Sequence, residues 1–490
     1  MAKPHPFFLL TGLFLLSLPA MAAPALSQQQ KKIYQQVIQL KVHQVRALAQ
    51  QQLQQAPNSA VNLLLANYPD FFELCVQQDQ RLYAALLGKQ EARLEKLENM
   101  PQNSAWTSYA TAEVGMQIAM CKLLFGNRLS AAWGFRNAYQ QYRQNVQKYP
   151  DFIPNRKNLG VLQVLIGSVP DQYKWFLNII GLKGSVQQGM QNLKLAATSE
   201  NPFQQEAQLL YVVLLHMTEQ EQEPHALEKV TRLAKAQKDN LLTSFVAMHL
   251  LKKSKQGEAA LQVYMNRPTG PGYLSFPYLH HMAADLYLYK GLYEKSVQEN
   301  RLFLAQHQGR HYLKSAHFKL YLAYALDNHL PQAAWYLQQI QQVGIAEAEE
   351  DKYADRFAVN REPLVKPLMQ ARLHSDGGYY DQALQELQES KLNGTSPPVI
   401  QAEYYYRKAR IYHGQELLQQ AITNYEKTIS LCKGTDLYFA PNAALQLGYI
   451  YQQLKQPQQA KAHFQQALSF KNHAYKNSID AKAKLALSAM

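Results

Sequence analysis

Cysteine, charge and long apolar runs are all scarce in this chain of 490 residues. Three cysteines (Cys75, Cys121 and Cys432) cannot build a disulfide scaffold and allow at most one internal bridge. Each lies among apolar residues, the setting of a small buried thiol. Charged residues make up 18%, below the usual ~25%. Glutamine takes their place and outnumbers aspartate and glutamate together. With 47% hydrophobic residues, the composition excludes an acidic disordered protein and a collagen-like chain. No apolar stretch after residue 22 reaches the ~20 residues that span a bilayer as a helix. Catalytic and metal motifs are missing too: there is no His-Glu-x-x-His, no Cys-x-x-Cys and no Gly-x-Ser-x-Gly elbow. Gly181 to Ser185 lacks the spacing of a phosphate loop. The sequence therefore implies no cofactor and no metal.

What is present begins with an address. Lys3 and His5 precede an apolar run from Phe7 to Leu18, and Ala20 and Ala22 place small residues at the −3 and −1 positions. This predicts a secretory signal over residues 1–22, cleaved after Ala22, and a periplasmic or secreted protein. No cysteine follows the cleavage site to carry a lipid anchor. The formal charge of +14 could favour acidic partners. Its lysines and arginines are scattered, as in Lys252-Lys253, without the aromatic-laced stripe that nucleic acid needs. They read as solvated helix faces.

Nearly everything after residue 27 has helical periodicity, with turns marked by Pro, Gly, Asn or Asp. Ile33, Val37, Leu40, Val45 and Leu48 predict one amphipathic opening helix. Pro69 and Pro150, each in a Tyr-Pro-Asp-Phe sequence, predict breaks between helices. In the second half, small residues recur at Ser296, Ala333, Ala383, Ala421 and Ala460, spaced 37, 50, 38 and 39 residues apart. The 50-residue step holds the charged stretch 346–356, an extended helix or a loop insertion. In the last unit Leu447, Gly448 and Tyr451 sit on a first helix, and Ala460, Phe464 and Ala467 on a second. Small residues there allow two helices to cross closely, and aromatic ones fill the gap to the next pair.

On these residues the chain resembles the tetratricopeptide-repeat superfamily over at least 275–470, whose ideal unit is ~34 residues. The glycine-rich run 158–190 resembles a segment of exported bacterial proteins of this superfamily. More distantly it is similar to the eukaryotic inclusion-body-clearance family. The resemblance implies a helical-repeat fold with a scaffolding or binding role and no catalytic residues. The expected fold is an all-α solenoid of antiparallel helix pairs, longer and less regular in the N-terminal half. Its expected parts are a signal (1–22), an N-terminal helical domain (23–200), a solenoid (201–475) and a capping helix (476–490). In that cap Ile479, Leu485 and Leu487 should face inward.

Two candidate sites follow. The first helix of each pair lines the concave wall, where counting places Asp285, Leu322, Arg372, Arg410 and Tyr449, with Tyr406 and His413 nearby. Arg372 and Arg410 could clamp a carboxylate or an extended acidic peptide. The apolar piece around Tyr173, Trp175, Phe176 and Ile180 is either a plug in the solenoid or a patch for a partner or membrane surface. His280, His281 and Asp285 lack a third metal ligand, and the histidines read as helix-surface residues. The function expected is an envelope scaffold that binds proteins or peptides without catalysis. The alternatives are glycan or nutrient capture, and an enzyme on a helical toroid.

Overall fold

The structure, a computed structural model, describes residues 25–169, 177, 181–218, 226–390, 392, 396–488 and 490. The expected signal over 1–22 and the patch residues Tyr173, Trp175, Phe176 and Ile180 lie outside them. Among the described residues there are twenty-four helices and no strand. No helix among them is long and apolar enough to cross a membrane.

The opening segment is two helices, α1 (Gln28–Ile38) and α2 (Val42–Gln55). Leu40 takes a left-handed φ of 62°, and the Lys41 N–H turns back to the Gln36 carbonyl at 3.0 Å. Leu40 remains fully buried, which is why its spacing alone reads as continuous helix. Next come α3 (Ala60–Gln77), α4 (Gln80–Glu98), α5 (Ala105–Leu124), α6 (Arg128–Lys148), α7 (Pro154–Gly167) and α8 (Val186–Thr198). The two Tyr-Pro-Asp-Phe sequences behave differently. The second separates α6 from α7, whereas α3 runs straight through Pro69. A proline inside a helix costs ~3 kcal/mol. Packing offsets it here: Tyr68 and Asp70 are buried, and Asp70 pairs with Arg46 and with Arg93 at 2.7 Å. At the crossing of α7 and α8, a Cβ on Gly160 would lie 2.7 Å from the Gly189 carbonyl, so the glycine-rich segment serves close helix contact.

The hairpins follow: α9 (Gln204–Met217) with α10 (Ala226–Ala236), α11 (Leu241–Lys253) with α12 (Gly257–Met265), and α13 (Pro277–Tyr289) with α14 (Tyr293–Gln306). Then come α15 (Leu313–Leu326) and α16 (Leu330–Gln339), the inserted α17 (Glu349–Asn360), and α18 (Lys366–Gly377) with α19 (Tyr380–Glu389). The last are α20 (Pro398–Gly414) with α21 (Leu418–Leu431), α22 (Phe439–Gln453) with α23 (Pro457–Ser469), and α24 (Lys476–Ser488).

One turn joins the helices of six successive hairpins. Lys255, Gly291, Asn328, Gly378, Glu416 and Lys455 each have positive φ. The following N–H in each case bonds a carbonyl five residues back, at 2.8–2.9 Å. This is the Schellman closure, which satisfies carbonyls that the helix end leaves free. At Gly378 the turn also meets its neighbour: a Cβ there would lie 2.0 Å from the Lys255 carbonyl.

Within the final unit Gly448 faces the Phe464 ring and Ala460 is fully buried, as the crossing requires. The inserted α17 packs on α15 through Phe357, whose ring lies 4.9 Å from that of Phe318. Leu485 of the cap is 60% exposed, while Ile479, Ala483 and Ala486 point inward. Steps of four and three residues keep those on one helix face and turn 485 away from it. The stack also coils back on its beginning. The Leu274 N–H bonds the Leu40 carbonyl at 2.8 Å, and His311 Nδ1 lies 3.1 Å from the Gln78 amide oxygen.

Candidate binding chambers on the inner face

The inner helices α13, α15, α18 and α20 present Asp285, Ser315 and Lys319, Arg372 and Asp376, and Glu403 and Arg407, and α17 walls the space in front of them. Two hollows result. One, of about 280 Å³, is lined by Asp285, Ser315, Lys319, Leu322, Glu350 and Arg372 among others. The other, of about 120 Å³, lies beyond Arg372 and Tyr353, against Glu403, Arg407, Tyr438 and Tyr475.

The larger hollow rests on a charge cluster. Lys319 Nζ lies 3.0 Å from Asp285 and 2.7 Å from His281 Nε2, and Lys252 pairs with Asp285. Glu350, carried in by α17, lies 3.0 Å from His281 Nε2, 3.7 Å from Lys319 and 3.8 Å from Lys252. Burial works against its charge, yet Lys252 and Lys319 hold its carboxyl well below the ordinary range. Next to it Asp351 accepts the N–H groups of Tyr312 and Ser315 at 2.6 and 2.9 Å, which fixes α17 to the start of α15. His281 is fully buried, not on a helix surface as its position suggests. Burial, then Lys319, pushes its pKa down to about 4, so it is neutral at pH 7. His280 is half-buried, between Tyr264 Oη at 2.9 Å and Glu299 at 2.7 Å. Lys252, read as a solvated surface charge, has a side chain only 10% exposed.

Ser315, His281 and Glu350 resemble a nucleophile, base and acid, but the geometry does not. Both Ser315 Oγ, at 3.2 Å, and Glu350 meet the same ring nitrogen, Nε2. Among the described residues Nδ1 has no hydrogen-bond partner. A relay needs the acid on one nitrogen and the nucleophile on the other. Among the described residues no cluster of three or more His, Cys, Asp or Glu could hold a metal ion.

Arg372 divides the hollows. It donates to Tyr353 Oη, lies over that ring at 4.7 Å, and has Asp376 at 3.7 Å. Arg407 is forked onto Glu403 at 2.7 and 3.1 Å. Arg410 lies on the same inner helix and, among the described residues, has no carboxylate within ion-pairing distance; it bonds Tyr425. Its charge is felt nearby. Burial, then Arg410, lowers Lys255 to about 8, and burial, then Arg410 and Lys255, lowers His413 to about 4. Five cations, Lys255, Arg356, Arg372, Arg407 and Arg410, thus meet three carboxylates, Glu362, Asp376 and Glu403. An anion is the natural complement.

Of the residues expected on the concave wall, Asp285, Leu322 and Arg372 line the larger hollow, and Arg410 lies in the cationic corner. Tyr406 is buried against Phe439, with ring centroids 5.2 Å apart, and burial pushes its pKa up to about 12. His413 Nδ1 lies 3.3 Å from Tyr425 Oη. Tyr449 is elsewhere, edge-on to Phe464 at 5.3 Å. Sequence reasoning passed over Lys252, Lys319, Glu350 and Arg407. Arg407 had a visible signal, since Glu403 stands four residues before it on one helix.

Stacked helical hairpins with hollows along their inner face define an α-solenoid. Residues 400–472 match the family model of the tetratricopeptide repeat. No curated protein matches the chain. Among solved structures it is similar to the Cut9–Hcn1 hetero-tetramer of the APC/C, at 10% identity and a TM-score of 0.26, covering 94% of this chain and 97% of that one. It is also similar to IFIT1 with Gppp-AAAA, at 13% and 0.31, covering 89% and 99%. A third is the P58(IPK) TPR domain, at 12% and 0.21, covering 85% and 98%.

Proposed function

We propose that the protein is an exported scaffold of the cell envelope that holds an acidic segment of another protein against its inner face. Export rests on the leader before Ala22. The observation that carries the binding reading is the excess of cations around Arg372, Arg407 and Arg410; among the described residues Arg410 has no carboxylate within ion-pairing distance. Guanidinium groups held by tyrosines and helix neighbours are ordered before a ligand arrives, which lowers the entropic cost of binding it. Replacing both Arg372 and Arg410 by Ala removes two charge-assisted contacts, each worth about 1.5–3 kcal/mol. Capture of a glutamate-rich peptide, followed by fluorescence anisotropy, should weaken at least about tenfold and depend on salt. Unchanged capture by a folded double variant removes the proposal.

A second reading follows from α17. It turns an open groove into hollows of about 280 and 120 Å³, sizes suited to a small polar molecule. Envelope capture of a glycan or nutrient fits that shape. A carbohydrate array with the purified protein separates the two, because a sugar held in the larger hollow would survive 0.5 M salt (about fivefold above roughly 0.1 M) and an acidic peptide would not.

A further inference from the structure

Away from the hollows, α3 and α5 run side by side near the other end of the chain. Their register is set by Asn67, whose amide donates to Gln117 at 2.8 Å, and by Tyr68, whose hydroxyl donates to Glu113 at 3.2 Å. One turn beyond Gln117 is Cys121, and two turns beyond Asn67 is Cys75. Cys121 is buried in one small cluster with Leu74 and Leu86, and Cys75 packs against it, near enough for each thiol to shift the other's proton affinity. Cys432 lies in a different core, between α20 and α22, and serves as an internal control.

We propose that Cys75 and Cys121 form a redox pair that closes to a disulfide between α3 and α5 by exchange with a disulfide oxidant. The pair is asymmetric: Cys121 and then burial raise the Cys75 pKa well above the ordinary thiol range, so exchange starts from the small deprotonated fraction of the more exposed thiol. Cys121 is fully buried, whereas Cys75 is partly exposed. The Gln90 amide lies 3.8 Å from Cys121 Sγ, and this donor and the Cys75 S–H stabilise the Cys121 thiolate. In the first step the Cys75 sulfur, deprotonated, attacks one sulfur of the oxidant; a mixed disulfide forms and the other sulfur leaves as thiolate. In the second, the Cys121 thiolate attacks Cys75 Sγ and expels the remaining oxidant sulfur as thiolate. The protein loses two protons and two electrons, and the oxidant is reduced to two thiols. The pair is placed by helix register alone, so the reaction does not depend on the peptide-binding reading or on the compartment.

The test uses the full mature chain incubated in glutathione buffers from reducing to oxidising, then denatured, alkylated and weighed. Oxidation should remove two hydrogens and leave only Cys432 open to alkylation, with a linked peptide joining the segments around Cys75 and Cys121. Cys432→Ser should change nothing, and Cys75→Ala or Cys121→Ala should each abolish the link. The oxidised wild type should also unfold at higher temperature, since the bond closes a long loop in the unfolded chain. Three alkylated thiols at the oxidising end, a glutathione adduct that persists on Cys75, or a link that includes Cys432 would each overturn the proposal.

Discussion

Two clusters of buried charge lie in different halves of this solenoid, and they differ in their access to water. In the N-terminal half Glu113 receives hydrogen bonds from Tyr142 at 2.8 Å and Tyr68 at 3.2 Å, and lies 3.5 Å from Lys157. Lys157 also pairs with Glu206 at 2.7 Å. The Lys157 and Glu113 side chains are 0% and 2% exposed. Burial alone would lower the Lys157 pKa, but the two carboxylates outweigh it and raise it. In the second half Lys252, Asp285, Lys319 and Glu350 form a comparable set, yet Glu350 is 37% exposed and lines a hollow. A sealed cluster can only hold helices in place, whereas an open one can exchange a partner for a ligand.

The sharpest way to break this contrast is to remove one cation from each. Lys157→Met leaves Glu113, 2% exposed, without its cation, and Glu206, 19% exposed, without its nearest one, so the variant should lose about 3–5 kcal/mol in urea unfolding. Lys319→Met leaves its carboxylates within reach of water and of Lys252, so its loss should be nearer about 1–2 kcal/mol. Equal losses would mean that exposure does not separate the clusters.

Acid should probe the second cluster next. His281 titrates near 4 in the folded protein and near its ordinary 6.5 when unfolded, so below pH 6.5 the unfolded chain binds the proton first. Its contribution is complete above about pH 6.5 and falls as pH drops toward 4, by up to about 3 kcal/mol. His249, His307 and His413 are held near 4 by burial as well, so the total slope is steeper. His281→Gln should flatten part of that slope in denaturation curves between pH 7 and 4.5. An unaltered slope would show that His281 is solvated.

The two halves also differ in what the amino-acid sequence makes legible. The hairpin stack can be read because Gly448, Ala460 and Phe464 act within one unit, and counting along successive units brings Arg372 and Arg410 to adjacent inner helices. The inner wall's chemistry cannot be read that way. Glu350 meets Lys252 across nearly a hundred residues because α17 folds back on α15, and no local period encodes that return. Lys252 looks like any surface lysine until Asp285 covers it. Pro69 is misread for a related reason: the contacts that carry α3 through it come from Arg46 and Arg93 on other helices.

The turn between helices allows the smallest and most local test. N-cap side chains start α1, α3, α4, α5, α8 and α11, but no helix from α12 to α23 has one. There the Schellman closure does the ordering, and only two of its six left-handed positions, Gly291 and Gly378, carry glycine. Glu416 and Lys455 adopt φ of 60° and 58° with a Cβ, at a steric cost of about 1 kcal/mol each. Glycine would relieve that cost while adding unfolded-state entropy, so Glu416→Gly and Lys455→Gly should each stabilise by about 0.5 kcal/mol. Both residues sit in exposed turns of separate hairpins, and among the described residues no hydrogen bond or ion pair joins them, so the gains should add in the double variant. A loss on either substitution would mean that the side chain at the turn makes a contact worth more than the strain it carries.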